Sequence, residues 1–269
     1  MVAVLLLLAA GLVPGERLEY DVKYGPFTLG QLVLETLAPD TIADAGCHHF
    51  RSTLGLNLGF VFKAEYEIES WARARDMVTM RSAKTTRESR FQGEWTADFD
   101  YDSSRVFYSD GEVYVLRQPE ARDLLTLWHW FRSLPLDTGE LVPVYAHTDR
   151  REYDTWFRAT RRTEVSTPAG RFESLELVPE DKTPLGAVYL ADASVVQGGY
   201  PVSSGMWDEE FIDRVPVLIK TKVGAMEVSA FLRDADFGPC GLEGPDSSDT
   251  ERSAADRPAD PTEEGSGGE

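Results

Sequence analysis

The sequence predicts a mainly β protein, either an antiparallel barrel or a strongly curved sheet, with one amphipathic helix and a disordered acidic C-terminal tail. Three observations predict it: apolar and polar residues alternate with a period of two in many segments, one segment has helical spacing, and the composition changes abruptly near residue 240. A length of 269 residues suits one large β domain. We expect a leader over 1–14, a single β-rich domain over 15–239 and the tail over 240–269.

The N-terminal segment is an apolar run from Val2 to Val13. It is shorter than the roughly 20 residues that a membrane-spanning helix needs. Small residues at Ala9-Ala10-Gly11 are typical of a signal-peptide cleavage site, although no basic residue precedes the run. We therefore expect an exported, periplasmic protein without a transmembrane span. The alternative is a first core strand or a buried helix.

Strict alternation identifies the strands, because successive side chains of a strand point to opposite faces of the sheet. The apolar members of the clearest sets are Leu18, Tyr20, Val22 and Tyr24; Phe60, Phe62, Ala64, Tyr66 and Ile68; Trp95, Ala97, Phe99 and Tyr101; Val215, Val217 and Ile219; and Met226, Val228, Ala230 and Leu232. Turn residues separate the runs at Gly25-Pro26 and at Pro168-Ala169-Gly170. Asp110-Gly111 between 106–108 and 113–115 predicts a hairpin.

One segment departs from this period. Pro119 to Leu134 carries Leu124, Leu127, Trp128, Phe131 and Leu134 at helical spacing, which predicts an amphipathic helix over about 119–134, lying across or inside the curved sheet. Pro119 suits a first helical turn, and Pro135 ends the helix.

The chain is acidic, with a formal net charge of −19. This charge argues against binding to nucleic acid, which requires clustered Lys and Arg. Residues 241–269 hold nine acidic and two basic residues and no aromatic residue, so they cannot bury enough apolar surface to fold. The tail is either a solubilising extension or an acidic interaction segment.

Familiar catalytic motifs are absent from the sequence: there is no Gly-x-Ser-x-Gly, no phosphate-binding glycine loop, no His-Glu-x-x-His and no Cys-x-x-Cys. Cys47, His48 and His49 are consecutive, so on a strand they point to alternate faces and do not suit one metal ion. We expect no metal and no cofactor. Cys47 and Cys240 could form a disulfide in an oxidising compartment; the alternative is that they are free thiols.

Large aromatic residues are the candidate ligand-binding residues, since they serve cores and ligand cavities alike. The candidates are Tyr66, Trp71, Trp128, Trp130, Phe131 and Trp207. Their alternative role is the core.

A second site hypothesis is a hydrolase centre made of carboxylates near Trp207, or of His129. The carboxylates are Asp208, Glu209, Glu210 and Asp213. Paired carboxylates can perform acid–base chemistry when burial shifts the pKa of one of them. The alternative is that all of them are solvated, and helical geometry places His129 on the polar face with Arg122, Thr126 and Ser133.

A series of short motifs runs through residues 15–233. In order they are Gly15-Glu16-Arg17-Leu18-Glu19-Tyr20, Tyr66-x-Ile68-Glu69-Ser70-Trp71, Asp123-Leu124-Leu125, Phe131-Arg132-Ser133-Leu134-Pro135-Leu136-x-x-Gly139, Pro168-Ala169-Gly170-x-Phe172, Trp207-x5-Asp213-Arg214-x-Pro216-Val217 and Gly224-x7-Leu232. In this order and spacing the chain resembles the bacterial domain-of-unknown-function family 3108. The resemblance implies an exported β-rich envelope protein and brings no established activity.

Three functions remain open from the sequence. The first is a non-catalytic envelope protein that binds an apolar small molecule, a lipid or an envelope protein. The others are the hydrolase and a structural module without a ligand. The sequence indicates no oligomeric state.

Overall fold

The computed structural model describes residues 12–57, 59, 62–196, 214–223 and 226–238. The described residues form 14 strands and two helices. The strands are β1 (Arg17–Tyr24), β2 (Phe27–Ile42), β3 (Ala45–Asn57), β4 (Lys63–Arg73), β5 (Thr79–Glu88), β6 (Phe91–Asp100), β7 (Arg105–Tyr108), β8 (Val113–Val115), β9 (Leu141–Thr148), β10 (Arg151–Thr167), β11 (Gly170–Pro179), β12 (Ala187–Asp192), β13 (Arg214–Val223) and β14 (Met226–Asp236). The helices are α1 (Leu124–Arg132) and α2 (Ala193–Val196).

All the strands belong to one antiparallel sheet in the order β8-β7-β6-β5-β4-β3-β2-β1-β14-β13-β12-β11-β10-β9. Consecutive strands are neighbours in the sheet, except β8 and β9, which form its two edges, and the first strand, β1, pairs with the last, β14. The sheet is strongly curved, and its two edge strands, β8 and β9, do not pair with each other. This confirms the predicted fold class in its curved-sheet form.

The alternation predicted from the sequence sets the inner face of the sheet. Leu18, Tyr20 and Val22 of β1 are buried in the core, as are Val228 and Leu232 of β14. The predicted hairpin is β7–β8, and the predicted turns at Gly25-Pro26 and Pro168-Ala169 connect β1 to β2 and β10 to β11.

Helix α1 lies inside the curved sheet, where it contacts β3, β4, β9 and β13. The prediction of a helix is confirmed, but the predicted start at Pro119 is wrong. The helix begins at Leu124, and Asp123 is its N-cap, accepting a hydrogen bond from the Thr126 backbone N at 2.7 Å. The segment before Asp123 is extended because its backbone hydrogen bonds go to strands.

Residues 121–122 bridge the gap between the two halves of the sheet. Thr79 N at the start of β5 donates to Ala121 O at 3.1 Å. On the other side Arg122 N donates to Tyr145 O, and His147 N donates to Arg122 O, both at 2.9 Å. These hydrogen bonds link β5 to the edge strand β9. The segment that leads into α1 therefore partly closes the curved sheet.

Beyond this bridge, the β6–β8 edge lies over the outward-facing side of β9. The Tyr108 hydroxyl on β7 is 3.0 Å from His147 Nε2 on β9, and the ring of Phe99 on β6 meets the same imidazole edge-on. Lys84 Nζ on β5 lies 2.5 Å from Asp149 Oδ1 in the β9–β10 turn. The sheet therefore overlaps itself, like a spiral, instead of closing by strand pairing.

The predicted leader and tail lie largely outside the described residues. Leu12 is the first residue described, and it is buried in the main core. Among the described residues, neither helix is long and apolar enough to cross a membrane.

Candidate functional site

The side of α1 that the sequence assigns to solvent is buried. His129 is 1% exposed, and its ring stacks on Phe50 of β3 with the centroids 3.9 Å apart. Thr126 on the same side of the helix is also buried, and so is Arg122, which precedes the helix. The expectation of a solvated His129 is wrong because the sheet wraps around the helix, so that its polar side faces protein too.

A fully buried ion pair fixes the C-terminal end of α1. Arg132 donates from Nη1 and Nη2 to the two carboxylate oxygens of Glu16, at 2.5 and 2.7 Å. Arg132 Nε also donates to Arg214 O on β13 at 2.6 Å. One guanidinium thus links the N-terminal segment, the helix and β13. In this geometry it is a structural group and not an exposed anion receptor.

Two imidazoles in this region are held neutral. Burial lowers the pKa of His48 to about 4, and burial with the nearby Arg132 charge lowers the pKa of His129 well below its usual value. The Nε2 atoms of both rings are buried and have no hydrogen-bond partner among the described residues. A buried neutral imidazole can accept a proton or a hydrogen bond, but neither ring here is accessible to a dissolved substrate.

The N-terminal end of α1 rests on polar side chains of the inner sheet face. Asp123 accepts from Ser70 Oγ of β4 at 2.5 Å, and its backbone N donates to Thr79 Oγ1 of β5 at 2.9 Å. Thr79 Oγ1 also donates to Thr126 Oγ1 at 3.0 Å. Burial raises the pKa of Asp123, and the hydrogen bonds it accepts oppose that shift. This network positions the helix.

The candidate aromatic residues of α1 point in different directions. Phe131 is fully buried against Phe157 of β10, with ring centroids 4.9 Å apart. Trp128 is buried, and its Nε1 has no hydrogen-bond partner. The Trp130 ring lies under the Arg122 guanidinium at 3.8 Å. The three side chains pack against protein and do not form one wall.

The other candidates are separated from the helix. The Tyr66 hydroxyl on β4 donates to Glu88 Oε1 at 2.7 Å. Trp71 lies on the outer face, where its ring stacks on His49 at 4.3 Å and its Nε1 donates to Asp40. Trp207 lies outside the described residues, as do Asp208, Glu209, Glu210 and Asp213.

Cys47 is buried, and its Sγ donates to Ala45 O at 3.4 Å. Cys240, its candidate disulfide partner, lies outside the described residues. Within the described part of the chain, no group of three His, Cys, Asp or Glu side chains could hold a metal ion.

A cavity missed by the sequence analysis lies elsewhere, at the end of β2–β5. It is an open groove of about 770 Å³. It is lined by Gly30, Gln31, Val33, Thr53, Gly55, Leu56, Asn57, Lys63, Ala64, Glu65, Arg87, Glu88 and Ser89. Leu56 and Ala64 are buried in the core, so Val33 is the partly exposed aliphatic side chain of this lining. Tyr66 is next to this groove through its hydrogen bond to Glu88.

Two glycines on paired strands shape the groove. A Cβ on Gly30 would lie 1.8 Å from Gly55 O, so only glycine fits that position. A Cβ on Gly55 would meet nothing within 4 Å. Glycine within a strand often marks a close approach of two backbones. This pair was the sequence signal that could have located the groove.

Comparison with known proteins gives a family and a fold. A family model described as a protein of unknown function (DUF3108) matches residues 19–230. The crystal structure of a β-barrel-like protein of DUF1849 from Brucella abortus superposes with a TM-score of 0.50 at 12% identity, covering 84% of this chain and 98% of that one. A protein described as a putative lipoprotein from Parabacteroides distasonis superposes with a TM-score of 0.30 at 8% identity, covering 84% and 96%. No curated protein matches the sequence.

Proposed function

Because this chain belongs to the DUF3108 family of proteins of unknown function, and membership of that family assigns no reaction, we propose a function for the chain from its geometry. It is an exported, periplasmic envelope protein that binds an amphipathic, mainly apolar ligand without catalysis, and the groove on β2–β5 is the binding site. One observation carries this proposal: the groove volume of about 770 Å³ lies within the range of small-molecule sites, roughly 300–1,000 Å³.

The interior of the curved sheet is filled with side chains, and this supports placing the ligand site in the groove instead. Helix α1 and its neighbours fill the space between β3, β4, β9 and β13 with buried side chains. The aromatic residues expected to line an internal ligand cavity pack against protein instead. The ligand hypothesis therefore moves from the interior to the groove.

The chemistry of the groove suits an acyl chain with a polar head. Val33 offers aliphatic surface, and the two glycines bring the backbone of β2 and β3 close to a bound chain. Lys63 and Arg87 line the same groove, with Arg87 Nη1 3.7 Å from Glu65 Oε1. An anionic head can contact these cations while the tail lies on the strands.

The first experiment is native mass spectrometry of the full chain purified from its own envelope, before and after organic extraction. We expect a bound lipid mass that extraction removes. A chain that carries no adduct and does not bind lauric acid, used as a simple anionic amphiphile, would leave the structural module as the function.

A groove-filling variant tests the location of the site. Gly55→Trp places an indole in the open space of the groove, and the backbone at Gly55 accepts a side chain. The matched control is Gly46→Trp, because Gly46 lies on the same strand, away from the groove, and is equally open. We expect Gly55→Trp to abolish lauric acid binding and Gly46→Trp to retain it, with the same circular dichroism for both. Equal binding by both variants would refute the groove as the site.

A further inference from the structure

The strand end that carries the groove also exposes aromatic side chains. In an antiparallel sheet the turns β1–β2, β3–β4 and β5–β6 lie at the same end. Tyr24 is 50% exposed, Phe27 is 68% exposed and Phe91 is 58% exposed, at the β1–β2 and β5–β6 turns. Adjacent hairpins are two strands apart, about 10 Å. The β1–β2 and β5–β6 tips therefore expose aromatic side chains on either side of the β3–β4 turn.

The same three tips are basic in an acidic protein. Residues 23–28, 57–64 and 87–92 contain four basic residues and one acidic residue, a local net charge of +3 in a chain of −19. The basic residues are Lys23, Lys63, Arg87 and Arg90. In the part of the chain that the structure describes, no carboxylate lies within 4.0 Å of the Lys63 or Arg90 head groups.

The remaining described tips at this end carry no such excess of basic residues. The turns β7–β8, β9–β10 and β11–β12, taken as 109–112, 149–150 and 180–186, contain five acidic and two basic residues. Lys84 and Arg158, which lie outside these turns, pair with Asp149 and Glu180, so this second half is close to neutral. A flat anionic surface would therefore be attracted by the first half, which is aromatic and cationic.

We propose that the β1–β6 hairpin tips dock on an anionic lipid bilayer. Aromatic side chains are enriched at membrane–water interfaces, where the ring lies among the headgroups. Lys and Arg next to them are attracted to anionic lipids. Tyr24, Phe27 and Phe91 supply the inserted rings, and the four cations supply the electrostatic attraction.

This docking goes beyond the ligand-binding proposal and does not depend on it. The tips use side chains outside the groove, although Lys63 and Arg87 belong to both surfaces. In the docked orientation the groove would face the bilayer. The Gly55→Trp variant separates the two proposals because it fills the groove and leaves the tips unchanged.

The experiment is co-sedimentation of the full chain with vesicles of phosphatidylethanolamine and phosphatidylglycerol, compared with vesicles of phosphatidylcholine alone. We expect binding to the anionic vesicles only, and no loss of binding by Gly55→Trp, since an added indole facing the bilayer does not weaken docking. Phe27→Ser with Phe91→Ser should weaken it by about tenfold or more, and Lys63→Glu with Arg90→Glu should remove the preference for anionic lipid.

The control is Leu141→Ser with Val195→Ser, since both residues are exposed apolar side chains distant in the sequence from the tips. Every variant keeps residues 1–22, so any contribution of the apolar N-terminal run is common to all. Docking is refuted if the native chain binds neither vesicle, or if both tip variants bind like the control. It is also refuted if sedimentation velocity shows a dimer that depends on the tip residues while the chain does not bind vesicles.

Discussion

The carboxylate of Glu16 and the guanidinium of Arg132 form a two-point ion pair inside the curved sheet, with both side chains at most 1% exposed. The two residues are 116 positions apart in the sequence. The pair ties the strand that starts the sheet to the end of the central helix. Both side chains are desolvated, and two short hydrogen bonds between them hold the pair together.

Glu16→Gln should destabilise the protein strongly. The change removes the charge of the carboxylate that accepts two hydrogen bonds from a buried guanidinium, and breaking a buried ion pair costs about 3–5 kcal/mol in the free energy of unfolding. Urea denaturation measures this loss. Replacing both partners by apolar residues, Glu16→Leu with Arg132→Met, should cost less than the sum of the two single changes.

The control for this prediction is an exposed pair of similar geometry. Arg158 Nε lies 2.5 Å from Glu180 Oε1 on the surface. Glu180→Gln should leave the unfolding transition nearly unchanged, because solvent screens exposed pairs. Similar effects of Glu16→Gln and Glu180→Gln would contradict the buried pair's structural role.

The free energy of unfolding should fall in moderately acidic solution, and protonation of His48 should account for part of this loss. Burial lowers its pKa from 6.5 to about 4, so the unfolded chain binds a proton that the folded chain refuses between these values. The stabilisation is fully present above pH 6.5 and is lost as the pH falls towards 4. The shift corresponds to about 3 kcal/mol.

The measurement is the free energy of unfolding as a function of pH for His48→Gln and for His49→Gln. The two histidines are adjacent, but His49 faces outward, stacked on Trp71. We expect a shallower pH dependence for His48→Gln than for the native chain, and His49→Gln is the control for a substitution at the neighbouring, outward-facing position. If both variants keep the native slope, protonation of His48 does not limit acid stability.

The fold was predictable where local patterns determine it. Alternation identified the inner face of β1 and β14, because burial of one face of a strand forces a period of two. The same reasoning located α1 but extended it to Pro119. Residues 121–122 form hydrogen bonds with β5 and β9 instead, and these strands lie far away in the sequence.

The candidate site was less predictable because it depends on how distant strands meet. An amphipathic pattern assigns one side of a helix to solvent, and His129 lies on that side. No local sequence pattern shows that the sheet curves around the helix and covers both of its sides. The groove likewise depends on the pairing of β2 with β3, which brings Gly30 beside Gly55.

Asp123→Ala should destabilise the helix and its contact with the sheet. The change removes an N-cap acceptor and leaves the Ser70 hydroxyl of β4 without its partner. Loss of an N-cap costs about 1–2 kcal/mol, and the unpaired hydroxyl adds to it. Thermal denaturation followed by far-ultraviolet circular dichroism measures the change.

Asp123→Asn is the informative comparison. Asparagine is as good an N-cap as aspartate and stays neutral where burial already disfavours the charged carboxylate. We therefore expect Asp123→Asn to cost clearly less than Asp123→Ala. The reverse order would show that the negative charge itself holds the helix.

Tyr108→Phe should loosen the overlap between the β7–β8 edge and β9. The Tyr108 hydroxyl is hydrogen-bonded to His147 Nε2, and His147 Nδ1 is already buried without a partner. Removing the hydroxyl leaves both nitrogens of a buried imidazole unpaired, a cost of about 1–3 kcal/mol. Burial lowers the pKa of His147, so the ring does not relieve this by taking up a proton near neutral pH.

Hydrogen exchange locates the effect, because β7 and β8 are short strands at the edge of the sheet and can open without global unfolding. We expect faster exchange of the β7–β8 amides in Tyr108→Phe than in the native chain. Tyr114→Phe is the control, since that hydroxyl donates to exposed Glu112. Unchanged exchange in Tyr108→Phe would mean that other contacts hold the two edges together, among them the 121–122 bridge, the Lys84–Asp149 pair and the ion pairs of Arg150 with Asp110 and Glu112.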